Sequence, residues 1–209
     1  MRKYIIIGYY TQDELYKNHA KELIESIQCV GNLVYDIQEV PSQGDWYKNT
    51  QFKPRFIKQM LEKHWNSDLV YVDVDARFLA QPTYFNILAM LDDVTIAAHI
   101  LDHKKYARPH QGFELLSGTL YIRNSQKTRE IINKWINEMV DKPTQWDQRA
   151  LAKILQGSGF YVLPEEYCVI FDYMSTVQNK IICHYQASRI CKKQQQLRQQ
   201  KIIRIRHAL

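Results

Sequence analysis

The sequence lacks the short motifs with which many proteins hold nucleotide phosphates. It contains no G-x-G-x-x-G after its first predicted strand and no G-x-x-x-x-G-K-[ST] anywhere. These motifs supply the backbone amides that hold a pyrophosphate in dinucleotide-binding and P-loop proteins. The sequence therefore has neither of the phosphate-binding loops that define these two classes of protein.

Cysteine pairs and long apolar runs are also missing. Cys29, Cys168, Cys183 and Cys191 form no C-x-x-C pair and no zinc-ligand spacing, which is typical of reduced thiols in a cytoplasmic protein. No stretch reaches the ~20 apolar residues of a membrane-spanning helix. The apolar run 5–7 is too short for a signal peptide. We therefore expect a cytoplasmic location.

The positive charge is concentrated at the end of the chain. The net charge is +6, and residues 191–209 hold six basic residues and no acidic one, which leaves 22 of each sign in residues 1–190. The neutral part fits one globular domain and is not a nucleic-acid-binding surface. The tail is predicted to be helical. It either lies on the anionic inner face of a membrane or packs on the domain or on a second subunit of a homodimer.

Strand and helix patterns alternate along residues 1–190, which predicts an α/β fold with a doubly wound beginning. A β-branched strand at 4–9 is followed by an amphipathic helix carrying Tyr16, Ala20, Leu23 and Ile27, and then by a strand at 33–40. A polar loop is predicted at 42–54 and a helix after Pro54. Further strands are predicted at 68–75, 94–98, 116–122, 160–163 and 181–185.

Two carboxylates end the apolar run that starts at Asp68. Successive strand residues point to opposite faces, so Asp73 and Asp75 are expected on one side of the strand end. Open α/β sheets bind ligands at this edge, and paired carboxylates there favour a divalent cation. The alternative is a solvated acidic loop. His184, at the end of another apolar run, is the candidate third ligand, and this donor set suits manganese.

Taken in order, these features resemble a nucleotide-diphospho-sugar transferase of the GT-A fold, close to family 8. The resemblance implies a Rossmann-like three-layer sandwich around a mixed, mostly parallel sheet. It also implies metal-dependent transfer of a sugar, with UDP as the default nucleotide and Mn²⁺ or Mg²⁺ as the ion. The segments that carry it are 52–57, 71–75, 117–120, Trp135, 146–151, Leu163-Pro164 and 184–189.

The resemblance also assigns roles to single residues. It implies that Asp73, Asp75 and His184 bind the metal, Asp73 also contacting the ribose, and that Asp147 and Gln148 face the transferred sugar. The remaining implied contacts are to the nucleoside (Gly8, Tyr9, Thr11), to the diphosphate or donor sugar (Lys53), to the sugar and acceptor (Ser117, Gly118) and to the phosphate (Arg189). The family usually ends in a His followed by Gly and Lys-Pro-Trp, and Arg189 stands where that lysine is expected.

Three questions stay open at this level. The tyrosines at 9–10 either contact the nucleoside or are half-buried rim aromatics. A retaining reaction needs no strong base and is favoured, whereas an inverting one needs a carboxylate base, with Asp147 first and Glu165 or Glu166 behind it. The acceptor is a glycan, a lipopolysaccharide or a protein.

Two other functions compete with the transferase. A haloacid-dehalogenase-type phosphatase is disfavoured because Arg77 replaces its Thr or Val. A non-catalytic protein of the same fold that binds a partner through the tail is the alternative.

Overall fold

The computed structural model describes residues 2–106 and 112–187. Arg189 and the predicted helical tail 191–209 lie outside these residues. The described residues form six α-helices and nine strands. The helices are α1 Glu14–Cys29, α2 Trp46–Gln51, α3 Lys53–Lys63, α4 Tyr84–Met90, α5 Gln126–Asp141 and α6 Asp147–Gln156. The strands are β1 Tyr4–Thr11, β2 Tyr35–Val40, β3 Asp68–Val72, β4 Ala76–Phe78, β5 Ile96–Asp102, β6 Phe113–Ile122, β7 Tyr161–Val162, β8 Val169–Ile170 and β9 Ile182–His184.

Six strands form a central mixed sheet in the order β2-β1-β3-β6-β5-β7. The pairs β1–β2, β1–β3 and β5–β7 are parallel, and β6 runs antiparallel to both β3 and β5. Strand β3 is buried along its whole length, as expected for a strand covered on both faces. The predicted mixed, mostly parallel sheet is confirmed.

Helices cover both faces of this sheet and give the predicted three layers. On one face α3, α5 and α6 pack around Trp135, whose side chain is fully buried, together with Phe56 and Leu151. On the other face α1 and α4 pack through Leu23 and Phe85. Helix α1 begins at the cap Asp13, whose carboxylate accepts from the backbone N–H of Leu15.

A second, small sheet has the order β4-β9-β8. Its antiparallel register pairs Ala76 with His184. This pairing brings the end of the described chain next to the turn that follows β3. No sequence pattern predicted β4, because three residues carry too little periodicity to be recognised.

The predicted loop 42–54 is partly helical. Asp45 caps α2 by accepting from the backbone N–H of Lys48, and α2 leads into α3, which has proline in its first turn. Strands β5 and β6 are both longer than predicted. Strand β5 extends to Asp102, and strand β6 begins at Phe113. Among the described helices, none is long and apolar enough to cross a membrane.

Candidate active site

The two carboxylates of the Asp-x-Asp pair lie in a turn, not on a strand. Strand β3 ends at Val72, and the backbone N–H of Ala76 closes a turn on the carbonyl of Asp73 at 2.9 Å. The prediction that strand alternation places both carboxylates on one side is therefore wrong, because neither residue lies on a strand. Both residues still lie at the carboxyl edge of β3, where a ligand is expected.

A buried lysine joins Asp73 to the start of α6. Lys53 Nζ lies 2.8 Å from Asp147 Oδ2 and 3.1 Å from Asp73 Oδ1. It also donates to Ser117 Oγ at 3.1 Å, and the Ser117 hydroxyl donates to Asp147 Oδ2 at 2.9 Å. Lys53 begins α3, where a cation opposes the helix dipole. The two carboxylates offset that unfavourable position.

This cluster sets the charge of its members. Burial alone lowers the pKa of Lys53, but the Asp147 and Asp73 carboxylates raise that pKa well above its usual range, so the amine stays charged. Burial raises the pKa of Asp73; Lys53 opposes that effect, while Asp75 and Asp147 add to it. Lys53 contacts two of the three carboxylates, and the third, Asp75, faces His184. The cluster holds more acidic than basic side chains, which favours a further cation.

The Asp75 carboxylate faces His184. Asp75 Oδ1 lies 3.4 Å from His184 Nδ1, and Oδ2 accepts from the backbone N–H of Ala187 at 2.9 Å. Burial raises the pKa of Asp75, but these neighbours lower it overall. His184 Nε2 is 2.8 Å from the hydroxyl of Thr119, which is fully buried. That contact fixes the imidazole with Nδ1 towards Asp75.

A bulge in β6 shapes the other wall of the site. Ala98 pairs with Leu120 while His99 pairs with Leu116, so residues 117–119 are extra in β6. Gly118 lies in this bulge, and its carbonyl accepts from the Asp73 N–H at 2.8 Å. A Cβ atom on Gly118 would lie 3.0 Å from His184 Cε1 and 3.4 Å from Asp73 Oδ2. The absent side chain keeps open the space between the two predicted ligands.

The predicted metal ligands fit a divalent ion in kind. The 3.4 Å between His184 Nδ1 and Asp75 Oδ1 is close to the ~3.0 Å separating neighbouring ligands on an octahedral ion with ~2.1 Å bonds. Asp73 Oδ2 borders the same space. Within residues 2–106 and 112–187, however, no group of three His, Cys, Asp or Glu side chains is arranged to hold a metal ion. Metal binding would require these side chains to converge further.

Gln148 lies beside the lysine cluster. Its Oε1 accepts from the backbone N–H of Ser117 at 3.1 Å, and its Nε2 donates to Glu114 Oε1 at 2.7 Å. The peptide carbonyl of Asp147 accepts from the indole N–H of Trp135 at 3.0 Å. The start of α6 is therefore fixed to β6 and α5, and the structure brings both predicted sugar-facing residues to the carboxyl edge of β3.

The predicted nucleoside residues lie at the end of β1. Tyr9 is half-buried and donates its hydroxyl proton to the carbonyl of Asn49 at 2.7 Å, while its ring contacts Phe52 and Phe56. A Cβ atom on Gly8 would lie 2.8 Å from the carbonyl of Val72, so this glycine allows β1 and β3 to approach closely. Thr11 is buried at the strand end. Burial, then the charge of Asp73, raises the pKa of Tyr9 well above its usual range.

Sequence reasoning missed three residues that support this site. They are Tyr71, which donates to Asp73 Oδ1 at 2.8 Å, Thr119 behind His184, and Glu114 beside Gln148. Tyr71 and Thr119 are ordinary strand residues in the sequence, and only their long-range contacts set them apart. Of the three, only Glu114 has a weak local signal of a role in the site, because it lies three residues before Ser117.

The fold and this edge of the sheet define a sugar-nucleotide transferase of the GT-A type. The model of the nucleotide-diphospho-sugar transferase family matches residues 10–198, and the chain belongs to that family. It is therefore a glycosyltransferase that uses a nucleotide-diphosphate sugar. Comparison with curated proteins gives no match.

Solved structures share the fold at low sequence identity. A glycosyltransferase involved in the glycosylation of the major capsid of PBCV-1 is 14% identical, with a TM-score of 0.69 over 88% of this chain and 93% of that one. The glycosyltransferase GlyE of Streptococcus pneumoniae TIGR4 in its apo form is 15% identical, with a TM-score of 0.60 over 88% of this chain and 55% of that one. These likenesses support the GT-A fold.

Proposed function

We propose that the protein transfers a sugar from a UDP-sugar to a glycan or lipid-linked acceptor hydroxyl, with retention of configuration and dependence on Mn²⁺ or Mg²⁺. One observation carries this proposal. The Lys53 ammonium is held between Asp73 and Asp147, next to the Asp75–His184 pair. A fixed cation, with carboxylates and an oriented imidazole that would hold a divalent ion, supplies the positive charge that a departing diphosphate requires.

The chain's own residues supply most of the positioning. Lys53 places one positive charge where the diphosphate or donor sugar is expected, and Ser117 with Asp147 holds that amine in place. A divalent ion bound by Asp73, Asp75 and His184 would neutralise the charge that develops on the leaving diphosphate. Because Thr119 orients His184, the imidazole needs little rearrangement to serve as a ligand.

The contacts of Asp147 and Glu165, two of the three candidate bases, favour retention. Asp147 Oδ2 is already bound to Lys53 and to the Ser117 hydroxyl, and its side chain is 10% exposed. Hydrogen bonds from Lys105 and Tyr106 lower the pKa of Glu165, which makes that carboxylate a weaker base. An inverting reaction needs a free, basic carboxylate at the acceptor hydroxyl, and neither side chain meets that description.

The acceptor is proposed from chemistry and from one similar structure. The similar glycosyltransferase is involved in the glycosylation of the major capsid of PBCV-1, which supports transfer to a glycan here. UDP is proposed because manganese-using transferases that this chain resembles mostly use it.

A thermal-shift screen tests the donor part of the proposal. UDP, GDP and CMP sugars are each added with and without Mn²⁺. A donor at 100 times its Kd adds about 2.7 kcal/mol to the stability of the folded state, so we expect the Tm to rise by about 5–10 °C in a chain of this size. The rise should require Mn²⁺ and should be lost in Asp75→Asn.

The matched control for that screen is Asp92→Asn. Asp92 is exposed and precedes β5, at the opposite edge of the sheet from Asp73, and this variant should respond like the wild type. An equal response without Mn²⁺ would contradict the metal dependence. Binding of a donor without release of nucleotide would favour the non-catalytic alternative.

A further inference from the structure

A run of hydrogen-bonded side chains leads away from the candidate active site. Gln148 Nε2 donates to Glu114 Oε1 at 2.7 Å, and Glu114 Oε2 lies 3.0 Å from His103 Nε2. His103 Nδ1 is bonded in turn to the hydroxyl of Tyr173. The four side chains come from α6, β6, the turn after β5 and the segment after β8. They therefore connect the start of α6 with three separate parts of the fold.

Glu114 determines which way the Gln148 side chain faces. A glutamine amide has a donor end and an acceptor end of nearly the same shape, so its orientation depends on its partners. The Glu114 carboxylate accepts hydrogen bonds and so selects the Nε2 end. The Ser117 N–H donates and so selects the Oε1 end, at 3.1 Å. With Glu114 present, only one orientation of Gln148 satisfies both partners.

The same glutamine lies next to the charged cluster. Ser117, which donates to Gln148 through its backbone, also contacts Lys53 and Asp147 through its hydroxyl. A rotation of the Gln148 amide would break the contact to the Ser117 N–H and disturb the bulge that carries Gly118. The Glu114 carboxylate, 34% exposed and held on its other side by His103, prevents that rotation.

We propose that Glu114 is a positioning residue for sugar transfer, acting through Gln148 and held in place by His103. This inference rests on the proposed function, since it takes Gln148 to face the transferred sugar. A contact that served only to stabilise the β5–β6 hairpin would affect stability and leave turnover unchanged. A positioning contact changes kcat through Gln148, and that difference makes the two roles separable.

Three substitutions at Glu114 test the proposal in the full chain. Release of nucleotide from UDP-glucose, UDP-galactose and GDP-mannose is measured with Mn²⁺. Glu114→Ala and Glu114→Asp should lower kcat about tenfold, the effect of losing one hydrogen bond, with the donor KM within about twofold of wild type. Glu114→Gln should keep more than about half of kcat, because its amide oxygen still accepts from Gln148.

A double-mutant comparison shows whether Glu114 acts through Gln148. In the Gln148→Ala background, Glu114→Ala should cause no further loss of kcat, because no amide is left to orient. An equal loss in both backgrounds, or a lower Tm with unchanged kcat, would overturn the proposal. If Glu114→Ala does not fold, Glu114→Asp gives the same comparison, because it keeps the charge and shortens the side chain by one methylene.

Glu138→Ala is the matched control. Glu138 is a 14% exposed carboxylate on α5 that bonds Lys142 and Lys153, and its loss should leave kcat unchanged. Absence of nucleotide release by the wild type with all three donors would remove the proposed function and this inference with it. An active wild type with a fully active Glu114→Ala variant would refute the inference alone.

Discussion

Replacement of Lys53 by methionine tests whether the charged cluster is as tightly coupled as its contacts indicate. Methionine has a similar length and no charge. The substitution removes the cation from Asp147 Oδ2 at 2.8 Å and from Asp73 Oδ1 at 3.1 Å. Breaking a buried ion pair by removing one partner costs about 3–5 kcal/mol. The Asp73 side chain is 39% exposed and can regain water, so we expect the lower end, about 3 kcal/mol.

The assay is urea unfolding of the wild type, Lys53→Met and Lys63→Met, followed by circular dichroism. Lys63 lies 2.8 Å from Asp36 but is 53% exposed, so its loss should lower the free energy of unfolding by less than about 1 kcal/mol. For a chain of this size the Lys53 effect corresponds to a fall in Tm of about 6–12 °C. If Lys53→Met is no less stable than Lys63→Met, the description of the cluster is wrong.

The deficit of Lys53→Met should depend on pH in a defined direction. Burial already raises the pKa of Asp73, and Lys53 is the main charge that opposes this rise, with His184 second. Without Lys53 the folded-state pKa of Asp73 rises further above its unfolded value. A group with a raised folded pKa loses its stabilising effect as pH rises through that pKa. The deficit should therefore be largest near neutral pH, above the pKa of Asp73, and should shrink on acidification. A deficit that grows on acidification would contradict this reasoning.

Three further predictions concern the surroundings of the cluster. Burial raises the pKa of Asp36, but its lysine, histidine and glutamine neighbours lower it overall. Asp36→Asn should therefore destabilise the protein by about 1 kcal/mol above the unfolded pKa of ~3.9, and this deficit should shrink as pH falls through the lower folded pKa. Equal urea-unfolding deficits at pH 7 and pH 3 would contradict this. Thr119→Val removes the hydroxyl that bonds His184 Nε2 and should weaken Mn²⁺ binding in calorimetry by about 10–100-fold. An unchanged Kd would exclude an orienting role. Gly118→Ala places a methyl group 3.0 Å from His184 Cε1. It should weaken Mn²⁺ binding by at least about tenfold while the circular dichroism spectrum stays unchanged. Wild-type affinity would mean that the ion does not use the space beside Gly118.

Local sequence patterns predict much of the fold. The alternation β1-α1-β2 and the fully buried run 68–72 follow from periodicity and burial, and the structure confirms them. The sequence did not predict helix α2, because its residues form no apolar stripe. It is held by the Asp45 cap and by the bond from Tyr9 to the Asn49 carbonyl. Such tertiary contacts override propensity in short helices.

The candidate site depended more on long-range pairing. The sequence indicated Asp75 and His184 as partners, but their proximity comes from the pairing of Ala76 with His184 between two three-residue strands. The roles of Thr119 and Glu114 follow from contacts to residues distant in the chain, at 2.8 Å and 2.7 Å. No local pattern specifies such contacts, because they exist only once the sheets have formed.

Nucleotide release from UDP-glucose and UDP-galactose, with Mn²⁺ or with EDTA, tests the central claim most directly. The wild type and Asp92→Asn should release UDP with Mn²⁺ and lose that activity in EDTA, whereas Asp75→Asn should be at least about 100-fold slower than the wild type with Mn²⁺. Equal release by Asp75→Asn and wild type, or full activity in EDTA, would contradict the assignment of this sheet edge as a metal-dependent transfer site.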